Sequence, residues 1–217
     1  MDGDAESRAA TAQERPHRYH HGGLRDALIE ASMRMIEETR VEKFSVAHAA
    51  RAAGVSSGAP YRHFADRDDL LDHVAAAGFS ALERESAEAW AAHPEGAIEG
   101  LIAGGCAYIR FGATRPELFH LMWGATRPHA QEGLAARTGS ACHEGFLRRL
   151  GAVLAAEGLA HLDIMAVSTP LWAMVHGYAS LLIGRNPKIQ ADETAVRAQV
   201  DAATRAYFAG LKAREGV

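Results

Sequence analysis

From Gly23 to its end, the chain places apolar residues at steps of three and four and nowhere sustains the strict alternation of a half-buried strand. That property alone restricts it to packed helices. Leu24, Leu28, Ala31, Met35 and Ile36 mark one face of a first helix ending near Thr39. Ser45 is placed to cap a second short helix, Val46 to Ala53, whose alanines Ala47, Ala49, Ala50, Ala52 and Ala53 admit a close neighbour, and Gly54 follows as its terminator. Ser56 then caps a third short helix running to about Phe64, and Asp66 a fourth that begins at Arg67 and carries Leu70, Leu71 and Val74. Longer patterns follow over 80–92, 95–113, 116–123, 132–157, 162–184 and 192–214, punctuated by Pro94, Pro116, Pro128, Gly158 and Pro187. The predicted fold class is all-α.

Composition agrees with a globular chain. Of 217 residues, 48% are hydrophobic and 23% charged, which suffices for a sizeable core and excludes disorder throughout. Cys106 and Cys142 stand far apart without a CxxC, so neither a disulfide framework nor a zinc site is expected, and no cofactor or metal is implied. The first residues are polar and acidic, unlike a secretory signal, so a disordered tail over 1–16 and a cytoplasmic location are expected. The net charge of -4 is unevenly spread: residues 1–7 carry -3, residues 8–67 carry +3, and residues 68–217 carry -4. A basic segment on an acidic body suits a small nucleic-acid-reading head.

Ile164 to Gly184 holds no Asp, Glu, Lys or Arg over 21 residues, the length of a membrane span. Ser168, Thr169, Pro170, His176, Gly177 and Ser180 interrupt it, and no basic cluster flanks it. It therefore reads as a helix wrapped by its own domain on one side and by a second copy of the chain on the other, with no membrane partner.

The segment Ser45 to Phe64 carries the function. Two short helices meet at a glycine-containing turn, with Val55 and Phe64 as apolar locks, which is the grammar of a helix-turn-helix whose second helix enters the major groove. Tyr61, Arg62 and His63 can bond phosphate oxygens, while Ser57, Gly58 and Ala59 are small enough to bring the backbone close to base edges. Pro60 falls at the fourth helical position counted from Ser56, where the missing N–H forfeits only the first intrahelical bond.

Phe44-Ser45-Val46, Ala49-Ala50, Ala53-Gly54-Val55-Ser56, Gly58, Tyr61-Arg62-His63-Phe64, Arg67 and Leu70-Leu71, at these spacings between Leu24 and Val74, resemble the TetR family of bacterial transcriptional repressors. The resemblance implies a DNA-binding head, residues 17–66, joined to a ligand-binding and dimerisation body, residues 67–217. By the family's usual roles Ser45, Tyr61 and His63 would hold phosphates, and Ser57, Gly58, Ala59 and Arg62 would face base edges beside Ser56. Arg67 stands where the family most often has lysine and would make a further phosphate contact. Upstream, Arg18, Tyr19, His17, His20 and His21 form either a solvated arm or an arm that touches the duplex.

The body resembles the subset of that family with a C-terminal Trp-x-x-x-His-Gly signature, here Trp172 to Gly177. Tyr108, Phe111, Phe119, Met122, Trp123, Trp172 and Met174 either line an effector cavity or form plain core. His176, four residues after Trp172, is either a satisfied buried histidine or a polar anchor in that cavity. In the last helix, Val196, Val200, Ala203, Tyr207, Phe208 and Leu211 recur at helical steps, and a four-helix seam built from the last two helices of two chains is expected.

Two catalytic motifs fail on context. Gly54 to Gly58 matches G-x-S-x-G, but a helix rather than a strand leads into it, and His143-Glu144 lacks the second histidine of a zinc protease. The expected protein is not an enzyme. It is a homodimeric regulator of the repressor type, released from a palindromic double-stranded operator by an unknown small-molecule effector. A small helical enzyme and a purely protein-binding helical module are the rival readings.

Overall fold

The structure, a computed structural model, describes residues 21–124, 132–186 and 192–216. Among the described residues there are eight α-helices, two single 3-10 turns and no strand. The helices are α1 (His21–Thr39), α2 (Val46–Ala52), α3 (Arg67–Ala91), α4 (Ile98–Thr114), α5 (Pro116–Trp123), α6 (Leu134–Ala156), α7 (Ile164–Ile183) and α8 (Glu193–Glu215). The 3-10 turns are Val41–Lys43 and Pro60–Arg62.

The head follows from local rules with two departures. Gly54, at φ +74, turns the chain after α2 in the left-handed region that glycine enters without steric cost. Ser45 occupies the N-cap position of α2, yet its side chain makes no capping bond; only its carbonyl accepts, from His48 and Ala49. The larger departure is the expected third helix. Ser56 to Phe64 coils as consecutive turns around one 3-10 turn, with no α-helix. Pro60 has no N–H to return to the Ser56 carbonyl, so that oxygen accepts from Ala59 instead, and the Ala59 carbonyl accepts from Arg62. The lost bond costs the segment its α ladder, and Gly58 adds backbone entropy against it.

Asp66 caps α3, its Oδ1 accepting from the Asp69 N–H at 2.8 Å. The sequence pattern divides residues 66–92 into two helices, whereas α3 runs unbroken for 25 residues. Leu70, Leu71 and Val74 continue through Ala75, Phe79 and Leu82 as one buried stripe, and that continuity keeps the helix whole. Consequently α3 packs against α1 of the head and runs on through the body. One apolar cluster spans both parts, from Leu28, Phe44 and Phe64 to Phe111, Phe119 and Met122.

In the body, α3 packs against α4 and α6, α4 against α7 and α8, and α5 fills the corner between α1 and α3. Gly104, inside α4, lies against Trp90: a Cβ there would come within 2.9 Å of the Trp90 ring, so the close packing of α3 on α4 favours glycine. The last helix departs from expectation in its orientation. Val196 and Val200 pack inward with Ile102 and Val175, and Phe208 and Leu211 join Leu101, Val167 and Leu171, so these residues face the chain's own core. Tyr207 is half-buried and donates its hydroxyl proton to the Val167 carbonyl at 3.3 Å. What α8 leaves open is a stripe of small residues, Ala202, Ala206 and Gly210, and α7 likewise leaves open Met165, Thr169, Ala173 and Leu181.

Helix α7 is long and apolar enough to cross a membrane, and 28% of its apolar window is buried inside one chain. It packs through Val167, Leu171, Val175 and Ala179 into the body.

Candidate nucleic-acid interface and interior cavity

The turn from Ser56 to Phe64 is held from below. Pro60 and Phe64, four residues apart, are buried, and the Phe64 N–H donates to the Pro60 carbonyl at 2.9 Å. Phe64 is fixed by the Arg25 guanidinium, 5.5 Å from its ring centroid, and by the His73 ring at 5.3 Å. With those anchors facing inward, Ser56, Ser57, Gly58, Tyr61 and Arg62 face solvent, Tyr61 at 58% exposure. An aromatic residue so exposed, among a guanidinium and hydroxyls, presents donors that suit a phosphate backbone. Ser45, Ala59 and His63 lie half-buried at the same face.

Two expected members of this interface stand differently. Arg67 turns its guanidinium inward: Nη2 donates to the Val41 carbonyl at 2.7 Å, Nε to the Phe44 carbonyl at 3.4 Å, and Nη1 pairs with Asp68 at 3.3 Å. It clamps the Val41–Lys43 turn onto α3, and its rigid fork, which lysine lacks, is what reaches two carbonyls at once. Arg18 lies outside the described residues.

Residues of α3, α4, α5, α6, α7 and α8 line a cavity of about 90 Å³. All three tryptophans, Trp90, Trp123 and Trp172, line it. Tyr108 and Met174 also line it, as the sequence predicts, with Leu101, Phe146 and Val175 between them. Phe111, Phe119 and Met122 do not. They are fully buried in the cluster shared with the head. His176 stands behind the wall rather than in it. Its Nδ1 and the Tyr108 hydroxyl share a hydrogen bond of 2.8 Å, and the Tyr108 oxygen accepts from Trp172 Nε1 at 3.4 Å. Its ring stacks on Phe119 at 5.2 Å, so burial holds its pKa below the ordinary histidine value. His176 is half-buried, with a partner in Tyr108, and does not itself line the cavity. Burial likewise pushes the Tyr108 hydroxyl up, so it stays protonated.

Sequence reasoning missed the polar side of the cavity. Glu83 on α3 accepts two bonds from Arg149 on α6, at 2.8 and 2.9 Å, and the Arg149 guanidinium lies 5.5 Å from the Trp90 ring. Ser86 lies one turn from each of Glu83 and Trp90. Burial, with Glu83 beside it, pushes the Cys142 thiol up to about 12, away from the thiolate form. These partners are separated by 66 residues, and no local spacing announces them.

Two carboxylates missed by the same logic tie the parts together. Glu37 on α1 accepts from the backbone N–H of Leu118 at 2.7 Å and of Glu117 at 3.4 Å, capping α5 from the head. Asp72 on α3 accepts from the N–H of Leu134 at 2.6 Å at the start of α6. Both capped helices carry cavity residues, Trp123 on α5 and Cys142, His143, Phe146 and Arg149 on α6.

Ser56 follows a helix and a glycine turn, so the strand on which a nucleophile elbow depends is missing at this motif. Among the described residues no group of three His, Cys, Asp or Glu is placed to hold a metal ion.

Two protein-family models match the chain: bacterial regulatory proteins of the tetR family over residues 28–74, and the tetracyclin repressor-like C-terminal domain over residues 101–207. The chain belongs to the TetR family. Its fold is that of a DNA-binding transcriptional regulator of this family, and the first match contains the whole exposed turn and its anchors. A protein of unknown function from a Rhodococcus species is 30% identical, with a TM-score of 0.75 over 89% of this chain and 97% of that one. The TetR-family regulator PfmR of Thermus thermophilus shares the fold at 20% identity and a TM-score of 0.59, over 82% and 97% of the two chains. So does the fatty acid degradation regulator FadR of Bacillus halodurans, at 16% identity and 0.64, over 89% and 99%. No curated protein matches this TetR-family chain.

Proposed function

We propose that this TetR-family chain is a cytoplasmic, homodimeric repressor without enzymatic activity, released from a palindromic operator when a small molecule occupies the body cavity. The head over 17–66 reads DNA, and the body over 67–217 binds the effector and the second copy. One observation carries the reading: Pro60 and Phe64 anchor a turn whose remaining side chains, Ser56, Ser57, Tyr61 and Arg62, are free to meet a duplex. Tyr61, His63 and Ser45 bond phosphates, while Ser57, Gly58, Ala59 and Arg62 approach base edges. Because Ala59 and Gly58 carry no hydrogen-bonding group, DNA shape supplies part of the specificity.

The seam is supported by the open faces of α7 and α8, where Ala173, Ala202, Ala206 and Gly210 would let two helix pairs approach closely. A two-fold dimer sets the two heads one or more DNA turns apart, roughly 34 to 36 Å per turn. An effector acts only through its differential affinity for two head separations. The path is short, since α5 carries Trp123 in the cavity wall and is capped at its other end by Glu37 of the head.

Fluorescence anisotropy with DNA from the chain's own upstream region tests the reading. Saturable binding, with a competitor of random sequence at least about a hundredfold weaker, is the expected result. Equal affinity for both would overturn it, and genome-wide selection of bound fragments then identifies the operator.

A further inference from the structure

The turn that leads into α2 is strained. Arg40, at φ +71 and ψ +157, lies in a backbone region that residues other than glycine rarely adopt. Such a residue stays there only where its surroundings hold it, and strain of this kind collects at functional sites. The Arg40 side chain is exposed and approaches Glu117 at 3.7 Å, a surface pair too weak to supply the hold. On the α1 side, the Arg40 N–H donates to the Ile36 carbonyl at 2.8 Å. On the far side the hold comes from Arg67. Its Nη2 donates to the Val41 carbonyl and its Nε to the Phe44 carbonyl, the two ends of the Val41–Lys43 turn, and its guanidinium lies 5.8 Å from the Phe44 ring centroid. With Nη1 on Asp68, all three guanidinium nitrogens bond within the chain.

What adjoins these contacts gives them their consequence. Ser45, next to Phe44, starts α2 and stands at the face proposed for DNA. Asp66, next to Arg67, caps α3 two residues after Phe64, where the exposed turn ends. The stretch that would meet a duplex therefore begins and ends beside the two residues that Arg67 ties together. A segment held in its binding conformation loses less freedom on association.

We infer that Arg67 is a positioning residue for DNA binding: it holds the strained turn in place, so setting where Ser45 and α2 begin, and adds affinity without touching a phosphate. The inference rests on the DNA-reading proposal above.

Fluorescence anisotropy with the DNA fragment returned by genome-wide selection tests it, at a temperature where circular dichroism shows every variant folded. Arg67→Lys keeps the charge, but an ammonium does not match two carbonyls as the fork does. Binding should weaken about tenfold, the scale of one charge-assisted hydrogen bond, with the salt slope unchanged. Arg40→Gly relieves the strain, so in a chain that already carries it Arg67→Lys should cost no more than about twofold. Arg67→Ala should also leave the salt slope unchanged. An equal loss from Arg67→Lys in both backgrounds, or no loss in either, would overturn the positioning role and leave the DNA-reading proposal standing. A salt slope lowered by about one in Arg67→Ala but kept in Arg67→Lys would make Arg67 a phosphate contact instead. A wild-type protein that prefers no DNA sequence would overturn the DNA-reading proposal and this inference with it.

Discussion

Tyr108 and His176 lie 68 residues apart in the chain, and the phenol hydroxyl meets imidazole Nδ1 at 2.8 Å. The bond joins α4 to α7 directly behind the cavity, and a neutral imidazole can serve it in either tautomer. Burial acts in the same sense, lowering the pKa of His176 from the ordinary value of 6.5.

A lowered folded pKa means that the unfolded chain binds the proton first. Stability from His176 is therefore fully present above about pH 6.5 and is lost as pH falls through the folded value below it. Thermal unfolding measured from pH 7.5 to pH 5.0 should show a falling Tm. His176→Asn, which can still accept from Tyr108 but does not titrate, should have a flatter profile; an unchanged slope would place the pH dependence elsewhere.

Glu37 caps α5 from the head, so Glu37→Ala strands the N–H groups of Leu118 and Glu117. A loss of about 1–3 kcal/mol in denaturant unfolding is expected. Glu37→Gln retains an acceptor oxygen and should recover most of it. Identical losses for both variants would show that charge at the α5 terminus, rather than the bond, is what matters.

The proposed seam through the open faces of α7 and α8 sets where a dimer would break. Ala173→Arg or Ala206→Arg should give a folded monomer in sedimentation, with unchanged helical circular dichroism and lost operator binding. Val200→Asp points into the chain's own core and should instead unfold it, at a cost of several kcal/mol. A dimer that survives both arginine variants would refute the seam.

On the proposed phosphate role of Tyr61, Tyr61→Phe should weaken specific and random-sequence DNA by the same factor, about 2- to 12-fold. Arg62→Ala should cost about 1–3 kcal/mol on the operator and far less on random DNA if it reads a base. A uniform loss with a salt slope reduced by about one would assign Arg62 to a phosphate instead.

The amphipathic faces of α1, the Asp66 cap, the Gly54 turn and the residue types of the DNA-facing turn were all legible from local spacing, because each depends on neighbours within a few residues. The third helix was misread for the same reason. Counting positions from Ser56 made Pro60 look tolerable, but with Gly58 beside it the loss of a single N–H was enough to convert an α turn to 3-10 geometry. The cavity was half legible: Tyr108, Trp123 and Trp172 line it, whereas Phe111, Phe119 and Met122 fill the core beside it.

By itself, then, the sequence determined the helical class, the family and the chemistry offered at the exposed turn, since periodicity and turn residues act over short range. Only the tertiary structure decided that Glu83 meets Arg149, that Glu37 reaches α5, that Arg67 faces inward, and that α8 keeps its valines while leaving its alanines open. Those choices depend on how whole helices rotate against one another to fill space, and no spacing along one helix encodes the rotation of its neighbour.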